Sequence, residues 1–188
     1  MGQKYLHLSE KLIDFIQQQQ MFFVGTADVD GKVNISPKGL DTLKVVNKKQ
    51  VVWLNLTGSG NETSAHIQSL PRMTLMFTAF VGNPMILRLY GKAKVVHKGN
   101  DEWRHLYGLF DDYIGARQVF VLEIELVQIS CGMAVPILDY KHQREQLLKS
   151  AQRKGEKGIE SYWQEKNQWS IDGKPTHIVA KNMVHNEN

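Results

Sequence analysis

The sequence has little of what disulfide-stapled, metal-binding or membrane-spanning proteins need. A single cysteine, Cys131, excludes an intramolecular disulfide and a site built from several thiolates. The seven histidines are scattered, and we predict no metal site. No apolar run approaches the roughly 20 residues that a membrane span requires. We expect Cys131 to be a reduced thiol in or near the core.

A strong charge of one sign is also missing. The formal net charge is +4, and much of the excess lies between residues 141 and 166. We interpret this stretch as a solvated helical face and predict no nucleic-acid partner, because no basic and aromatic recognition motif accompanies it. The first residues carry neither an apolar core nor a cleavage site. A cytoplasmic protein without a membrane partner is therefore the expectation.

Short β-prone segments dominate what the sequence does contain. Gly91, inside the longest of them, predicts a bulge or a close backbone approach. Helical spacing is limited to short segments after Ser9 and Asn61 and over residues 101–109. This pattern predicts a mainly β fold, an antiparallel barrel with peripheral helices. The strand-like runs are residues 21–27, 32–36, 43–46, 51–56, 73–80, 85–97 and 119–129.

The character of the chain changes after residue 140. Residues 143–154 and 158–167 are polar and helix-prone, and a turn-rich tail comes after them. This part has too little apolar surface to fold alone. We predict a single domain, with a barrel and N-terminal helix over residues 1–140 and a C-terminal helical arm over residues 141–188. The last residues, 184–188, are expected to be frayed.

The turn after the fourth predicted strand is the first candidate site. Gly58 and Gly60 separate that strand from a short helix. The N–H groups that begin a helix have no intrahelical acceptor and favour an anion, and Ser59, Asn61 and Thr63 add polar side chains. The segment lacks the Gly-Lys-Ser/Thr of a P-loop and the third glycine of a dinucleotide fingerprint. Taken alone, it is better interpreted as an ordinary capped turn.

Two further polar clusters lie on predicted strands. Lys38 ends a strand that carries Ser36 off its apolar face, and Arg88 is set among apolar residues on the longest strand. Taken singly, Lys38 is an ordinary surface lysine, and Arg88 forms a structural ion pair with Glu123 or Glu125. Together with the turn, the two cations indicate an anion site on one small barrel.

In their order along the chain, these segments resemble the pyridoxamine 5′-phosphate oxidase-like family of flavin-binding split barrels, and its branch of uncharacterised members most of all. The resemblance extends from about residue 21 to residue 176. It implies a split antiparallel β-barrel that binds FMN non-covalently at the interface of a homodimer. It is carried by Asn-x-Ser-Pro-Lys-Gly from residue 34, Trp-Leu-Asn-Leu-Thr-Gly-Ser-Gly-Asn-Glu-Thr-x-x-His from residue 53, Pro-Arg-Met from residue 71 and Ile-Leu-Arg-Leu-Tyr-Gly from residue 86.

The resemblance also assigns residues to the cofactor. It implies that two strands pass the flavin, that the turn binds its phosphate, and that Arg88 approaches it, in some members from the second subunit. Asn167 and Ser170 of the tail would close over the site. The cofactor-binding residues implied in this way are Ser36, Pro37, Lys38, Trp53, Leu54, Asn55, Gly60, Asn61, Glu62, Thr63 and Arg88.

The turn departs from the oxidases, in which it carries a Ser-Arg-Lys run with two cations. Here the corresponding residues are Asn61, Glu62 and Thr63. Phosphate binding would therefore depend on backbone and hydroxyl groups, with Lys38 or Arg72 supplying charge. The C-terminal signature that binds pyridoxamine phosphate is not recognisable, so the substrate is left unassigned.

The resemblance implies an FMN-dependent oxidoreductase that acts on a small molecule. His66, Tyr90 and Arg88 are the candidates for substrate contact. Two alternatives are open. One is a flavin-binding store or sensor without turnover, and the other is a cofactor-free barrel that acts as a binding module.

Overall fold

The strands form one antiparallel sheet, and the helices lie around it. A computed structural model describes residues 2–183 of the 188-residue chain, so the expected fraying of residues 184–188 lies outside the described residues. The strands are β1 Gln3–Tyr5, β2 Phe22–Thr26, β3 Asn34–Lys38, β4 Leu43–Asn47, β5 Gln50–Leu56, β6 Arg72–Thr78, β7 Met85–His97 and β8 Ala116–Cys131. The helices are α1 Glu10–Gln18, α2 Glu62–Ser69, α3 Trp103–Tyr107, α4 Gln146–Lys166 and α5 Ile178–Asn182.

The sheet is antiparallel throughout but is not closed by hydrogen bonds. Its strand order is β3-β2-β6-β7-β8-β5-β4, and β1 pairs with β8 outside this path. Strands β2 and β3 form one hairpin, and β4 and β5 form another. The sequence did not predict β1 or α5, which are only 3 and 5 residues long. Elements of this length leave too few residues to establish a period.

Strands β7 and β8 organise the sheet. They pair along their length, from Met85 opposite Cys131 to His97 opposite Gln118. On its other side, β8 pairs first with β5 and then with β1. The register shifts between Tyr90 and Gly91, and a Cβ at position 91 would overlap the carbonyl oxygen of Glu123. The predicted bulge and close backbone approach at Gly91 are therefore both confirmed.

The core has two faces because side chains alternate along each strand. Val51 and Trp53 of β5 pack on one face, where Trp53 stacks on Phe120 with ring centroids 4.9 Å apart. Val52 and Leu54 pack on the other face, beneath α3. This explains why β5 has a continuous apolar run. Cys131 is exposed at the end of β8, so its expected place in or near the core is wrong.

The C-terminal arm packs on the sheet through its own small apolar cluster. Helix α4 is interrupted at Gly155, whose φ of 61° and ψ of −179° separate the two helix-prone segments read from the sequence. Ile159, Trp163 and Ile178 are buried together, and the indole Nε1 of Trp163 donates to Thr57 Oγ1 at 2.8 Å. The arm thus contacts the chain just before the glycine-rich turn.

Ion pairs fix the tail after α4 to the β2–β3 hairpin. Lys174 Nζ lies 2.6 Å from Asp28 and 2.5 Å from Asp30. The Asp28 side chain is 1% exposed and that of Asp30 is 82% exposed. Hydrogen bonds from Lys174, then from Ser69 and from the backbone N–H of Val29, hold the pKa of Asp28 well below its usual range. The stabilising charge is therefore present at neutral pH and is lost only as the pH falls below the range of an unfolded aspartate.

The bulge at Gly91 gives the first prediction. Gly91→Ala is expected to destabilise the chain by about 3 kcal/mol or more, because the new methyl group meets backbone that cannot move without disrupting the β7–β8 pairing. Thermal and urea unfolding measure this change. Gly25→Ala on β2 is the matched control, since a Cβ there would find its nearest neighbours, atoms of Thr74, at 3.8 Å. Equal stability of the two variants would contradict the close approach at Gly91.

The tail ion pairs give the second prediction. Asp28→Asn should loosen the tail, because it removes the buried carboxylate that Lys174 and Ser69 share. Amide hydrogen exchange should accelerate over residues 170–176. Asp30→Asn, which removes the exposed partner of the same lysine, should have a much smaller effect. Similar exchange in both variants would show that burial of Asp28 is not what holds the tail.

Candidate functional site

A cavity of about 820 Å³ opens between β3, β5 and the turn before α2. Its volume lies in the range of small-molecule sites, about 300–1,000 Å³. Residues from the end of α1 and from the segment between β8 and α4 complete its rim. The residues that line the cavity include Ser36, Pro37, Lys38, Trp53, Leu54, Asn55, Gly58, Ser59, Gly60, Asn61, Glu62, Thr63 and Arg117.

The glycine-rich turn places a helix N-terminus on the cavity wall. Asn61 occupies the N-cap position of α2, and its carbonyl oxygen accepts from Ser64 N at 3.1 Å. Its side chain makes no capping hydrogen bond, and its buried Oδ1 has no hydrogen-bond partner among residues 2–183. The ordinary capped turn is thus not what the structure contains. A buried amide oxygen and the free first-turn N–H groups of α2 lie at the same end of this helix.

Arg117 lies behind the turn and is the main site residue that sequence reasoning missed. It is only 3% exposed. Its Nη2 donates to Gly60 O at 2.7 Å, and its Nη1 donates to Asn167 Oδ1 at 2.9 Å. The apolar run read from the sequence begins at Val119, so Arg117 fell outside the predicted strand. The available signal was a cation just before a long apolar strand.

Asn167 connects the arm to the same turn. Its Nδ2 donates to Gly58 O at 3.0 Å and to Ser59 O at 3.2 Å, while its Oδ1 accepts from Arg117. Its own carbonyl accepts from Asn61 Nδ2 at 3.4 Å. Asn167 is fully buried and holds the turn from behind. Asn167 was expected to close over the site, but in the structure it lies behind the turn and bonds to the turn carbonyls.

Lys38 supplies a second positive charge at the cavity. Its Nζ lies 5.1 Å from the centroid of the Trp53 ring. Burial, and then the positive charge of Arg117, lower the pKa of Lys38 to about 8. Burial also lowers the pKa of Arg117. Within residues 2–183, no carboxylate forms a salt bridge with either cation.

The polar side chains of β3 are linked to α2 by hydrogen bonds. Ser36 Oγ donates to Asn34 Oδ1 at 3.1 Å, and Asn34 Nδ2 donates to Thr63 Oγ1 at 3.2 Å. Thr63 in turn contacts Thr26, which bonds to His66 Nδ1 at 3.1 Å. Glu62 points away to the tail, where its Oε2 accepts from the backbone N–H of Ile171 at 2.9 Å. The acidic residue of the turn is therefore partly engaged elsewhere.

Ten of the eleven residues that the resemblance assigns to the cofactor line this one cavity, and Arg88 does not. Arg88 donates to Ser130 Oγ at 2.9 Å, and the suggested ion pair with Glu123 or Glu125 is not formed. Its approach from a second subunit stays a prediction. Arg72 is exposed and also lies outside the cavity, whereas Arg117 lines it.

His66 and Tyr90, named as candidates for substrate contact, do not line the cavity either. His66 is buried in α2, and the Tyr90 hydroxyl donates to Gln128 at 3.0 Å across the sheet. In the part of the chain that the structure describes, no group of three or more His, Cys, Asp or Glu side chains is placed to bind a metal ion. No helix among residues 2–183 is both long and apolar enough to cross a membrane.

Comparison with known proteins identifies the family. The family profile described as pyridoxamine 5′-phosphate oxidase matches residues 8–131, more than half of the chain. The chain belongs to the pyridoxamine 5′-phosphate oxidase family. The family protein ustO of Aspergillus flavus is 37% identical over 140 residues, which cover 72% of this chain and 56% of that protein. This family member thus spans little more than half the length of that relative.

Two solved structures are similar to this family member. An inferred pyridoxamine 5′-phosphate oxidase from Lactobacillus delbrueckii has a TM-score of 0.54 at 21% identity, covering 65% of this chain and 94% of that chain. HupZ of Group A Streptococcus has a TM-score of 0.52 at 17% identity, covering 70% of this chain and 99% of that chain. At these identities the likeness establishes the fold alone. The predicted split β-barrel is confirmed.

The environment of Lys38 gives the third prediction. Its amine should titrate near pH 8, well below the usual value of about 10.4, because the buried charge is poorly solvated and Arg117 is near. A bound anion favours the protonated amine, so inorganic phosphate should raise this pKa. An anion should therefore bind most tightly below about pH 8 and less tightly as the pH rises further. NMR of ¹³C-methylated lysines with and without phosphate measures both effects. A Lys38 signal with the usual lysine pKa and no change on addition of phosphate would contradict the prediction that Lys38 lies at an anion site.

Proposed function

We propose that the chain binds FMN non-covalently in the cavity and acts as an FMN-dependent oxidoreductase on a small molecule. The observation that carries this proposal is the charge on one wall. Lys38 is half-buried and Arg117 is buried, neither forms a salt bridge with a carboxylate within residues 2–183, and both lie beside the start of α2. Two cations without a counter-ion are costly to bury, and a phosphate group would compensate them.

The residues present fit the two ends of FMN. The phosphate would lie at the turn, where Gly60, Asn61 and Thr63 offer backbone and side-chain groups and Lys38 offers a charge-assisted hydrogen bond. Pro37 and the stretch of β5 at Trp53 and Leu54, whose side chains are buried on opposite faces of the sheet, would lie along the planar ring. Ser36 and Asn55 supply polar groups beside that wall. Two acidic residues, Glu62 and Asp139, also line the cavity, and the contact of Glu62 with the tail directs its carboxylate away.

FMN would supply the redox chemistry, while the chain supplies binding and orientation. The side chains that the chain itself contributes to the mouth of the cavity include Tyr140, His142 and Arg144, on the segment between β8 and α4. These are the groups that would contact a small-molecule substrate beside the cofactor. They replace His66, Tyr90 and Arg88 of the same chain in that role.

We also propose that the active form is a homodimer, as the resemblance implies. Strand β3 is an edge strand, and its outward face carries Val33 just before it and Ile35 within it, which are 68% and 69% exposed. Apolar side chains exposed along an unpaired strand edge favour association with another copy. Ser36 and Lys38 on the same strand face the cavity, so the contact would lie next to the cofactor.

The fourth prediction tests cofactor binding directly. The purified chain should show the visible absorption of bound oxidised flavin at one FMN per subunit, and light scattering should give the mass of a dimer. Lys38→Ala should weaken FMN binding roughly 10- to 100-fold, because it removes a charged hydrogen-bond donor to the phosphate. Riboflavin, which lacks the phosphate, should bind both forms about equally. Lys44→Ala is the control, since Lys44 lies on β4 and is paired with Asp41.

Turnover needs its own measurement. Anaerobic reduction of the bound flavin by a nicotinamide cofactor or by pyridoxamine phosphate would support an oxidoreductase. Stable flavin binding without reduction by either donor would favour the alternative of a flavin store or sensor. A colourless protein that fails to bind added FMN would overturn the proposal and leave a cofactor-free binding module.

A further inference from the structure

The buried guanidinium of Arg117 has neutral hydrogen-bond acceptors, and the Glu62 carboxylate acts on it only through space. Its hydrogen-bond acceptors are the carbonyls of Gly58 and Gly60 and the amide oxygen of Asn167, at 3.5, 2.7 and 2.9 Å. Asn55 adds another neutral acceptor when its amide oxygen faces Arg117 Nε at 3.1 Å. Neutral acceptors satisfy the N–H groups of an arginine but leave its positive charge uncancelled. That charge is therefore available to a ligand in the cavity.

The side chain of Asn167 is suited to this arrangement in a way that its close relatives are not. It accepts from Arg117 with its oxygen and donates to the carbonyls of Gly58 and Ser59 with its nitrogen. An aspartate has the same shape but would pair with the guanidinium as an anion and could not donate. A leucine would fill the space and leave both partners unsatisfied. Asparagine alone of the three holds Arg117 without neutralising it.

The same contacts determine where the N–H groups of the turn point. In a trans peptide the carbonyl and the N–H of the next residue lie on opposite sides of the chain. The carbonyls of Gly58, Ser59 and Gly60 are all directed to Arg117 or Asn167. The N–H groups of Ser59, Gly60 and Asn61 are therefore directed away from the arm, and these three residues line the cavity.

We propose that Asn167 and Arg117 act together as the determinant that makes the cavity prefer a phosphate monoester over the same ligand without its phosphate. Arg117 supplies charge, and Asn167 is the positioning residue that keeps this charge free and turns three peptide groups toward the ligand. The inference rests on the proposed FMN site and names the residues of that site that recognise the phosphate. It also couples that site to the C-terminal arm, since Asn167 is the residue directly after α4.

The fifth prediction compares Asn167→Asp with the wild-type chain. The carboxylate should keep a hydrogen bond to Arg117, so the variant should fold, but it should cancel the charge and no longer donate to the turn. FMN affinity should fall about tenfold or more, whereas riboflavin affinity should change less than about threefold. The salt dependence of FMN binding should also become shallower. Fluorescence quenching titrations of both flavins measure these changes.

Gln168→Glu is the matched control. It makes the same amide-to-acid change one residue further on, where the side chain is exposed and bonds only to the carbonyl of Gln164. It should leave both affinities unchanged. If Asn167→Asp lowers FMN and riboflavin affinity equally, Asn167 is merely structural and the inference is overturned. It is overturned equally if neither affinity changes.

A measurement on the wild-type chain keeps the inference testable should the variant fail to fold. Ligand binding and arm docking are reciprocally linked, so FMN should slow amide exchange at residues 167–176 and riboflavin should not. Equal protection by both ligands, or none, would overturn the inference. Wild-type chain that binds no FMN at all would instead overturn the proposed function, so the two failures can be told apart.

Discussion

A positive charge buried among neutral carbonyls is the constraint on which the site depends. Burying an arginine is costly, and the usual remedy is a carboxylate partner. Here the partners of Arg117 are peptide carbonyls and the amide of Asn167. The fold thus accepts an electrostatic cost in the free protein that a bound anion can remove. Lys38, whose pKa is lowered to about 8, bears the same kind of cost on β3.

The sheet explains why these groups meet. Strand β8 is 16 residues long, and Arg117 lies near its start at a register shift in the pairing with β5, where its carbonyl accepts from Asn182 Nδ2 at 2.6 Å. Strand β5 runs antiparallel to it and ends at Leu56, which brings the glycine-rich turn against the start of β8. The arm then covers this junction, with Trp163 bonded to Thr57 and Asn167 to the turn. The site is assembled from three distant parts of the chain.

Local signals in the sequence predicted the strands and the glycine-rich turn, and the resemblance to the oxidase-like family supplied the other residues of the cavity wall. The bounds of β7 were read correctly because apolar alternation and Gly91 both mark it, and the turn residues Gly60 to Thr63 were recognised from their pattern. Arg117 was missed because it precedes the apolar run that begins at Val119 and because its partner Asn167 lies 50 residues further on. Nothing in the sequence alone indicated that Arg88 would bond to Ser130 instead of an acidic residue. The contacts of a buried polar side chain depend on partners that are far away in the sequence. The periodicity of apolar residues carries no information about those partners.

The family profile ends at residue 131, whereas the side chain that orders the turn is Asn167. The region that the profile matches is therefore smaller than the set of residues that surrounds the turn. A segment that follows a common scaffold can alter ligand choice while every strand of that scaffold is retained.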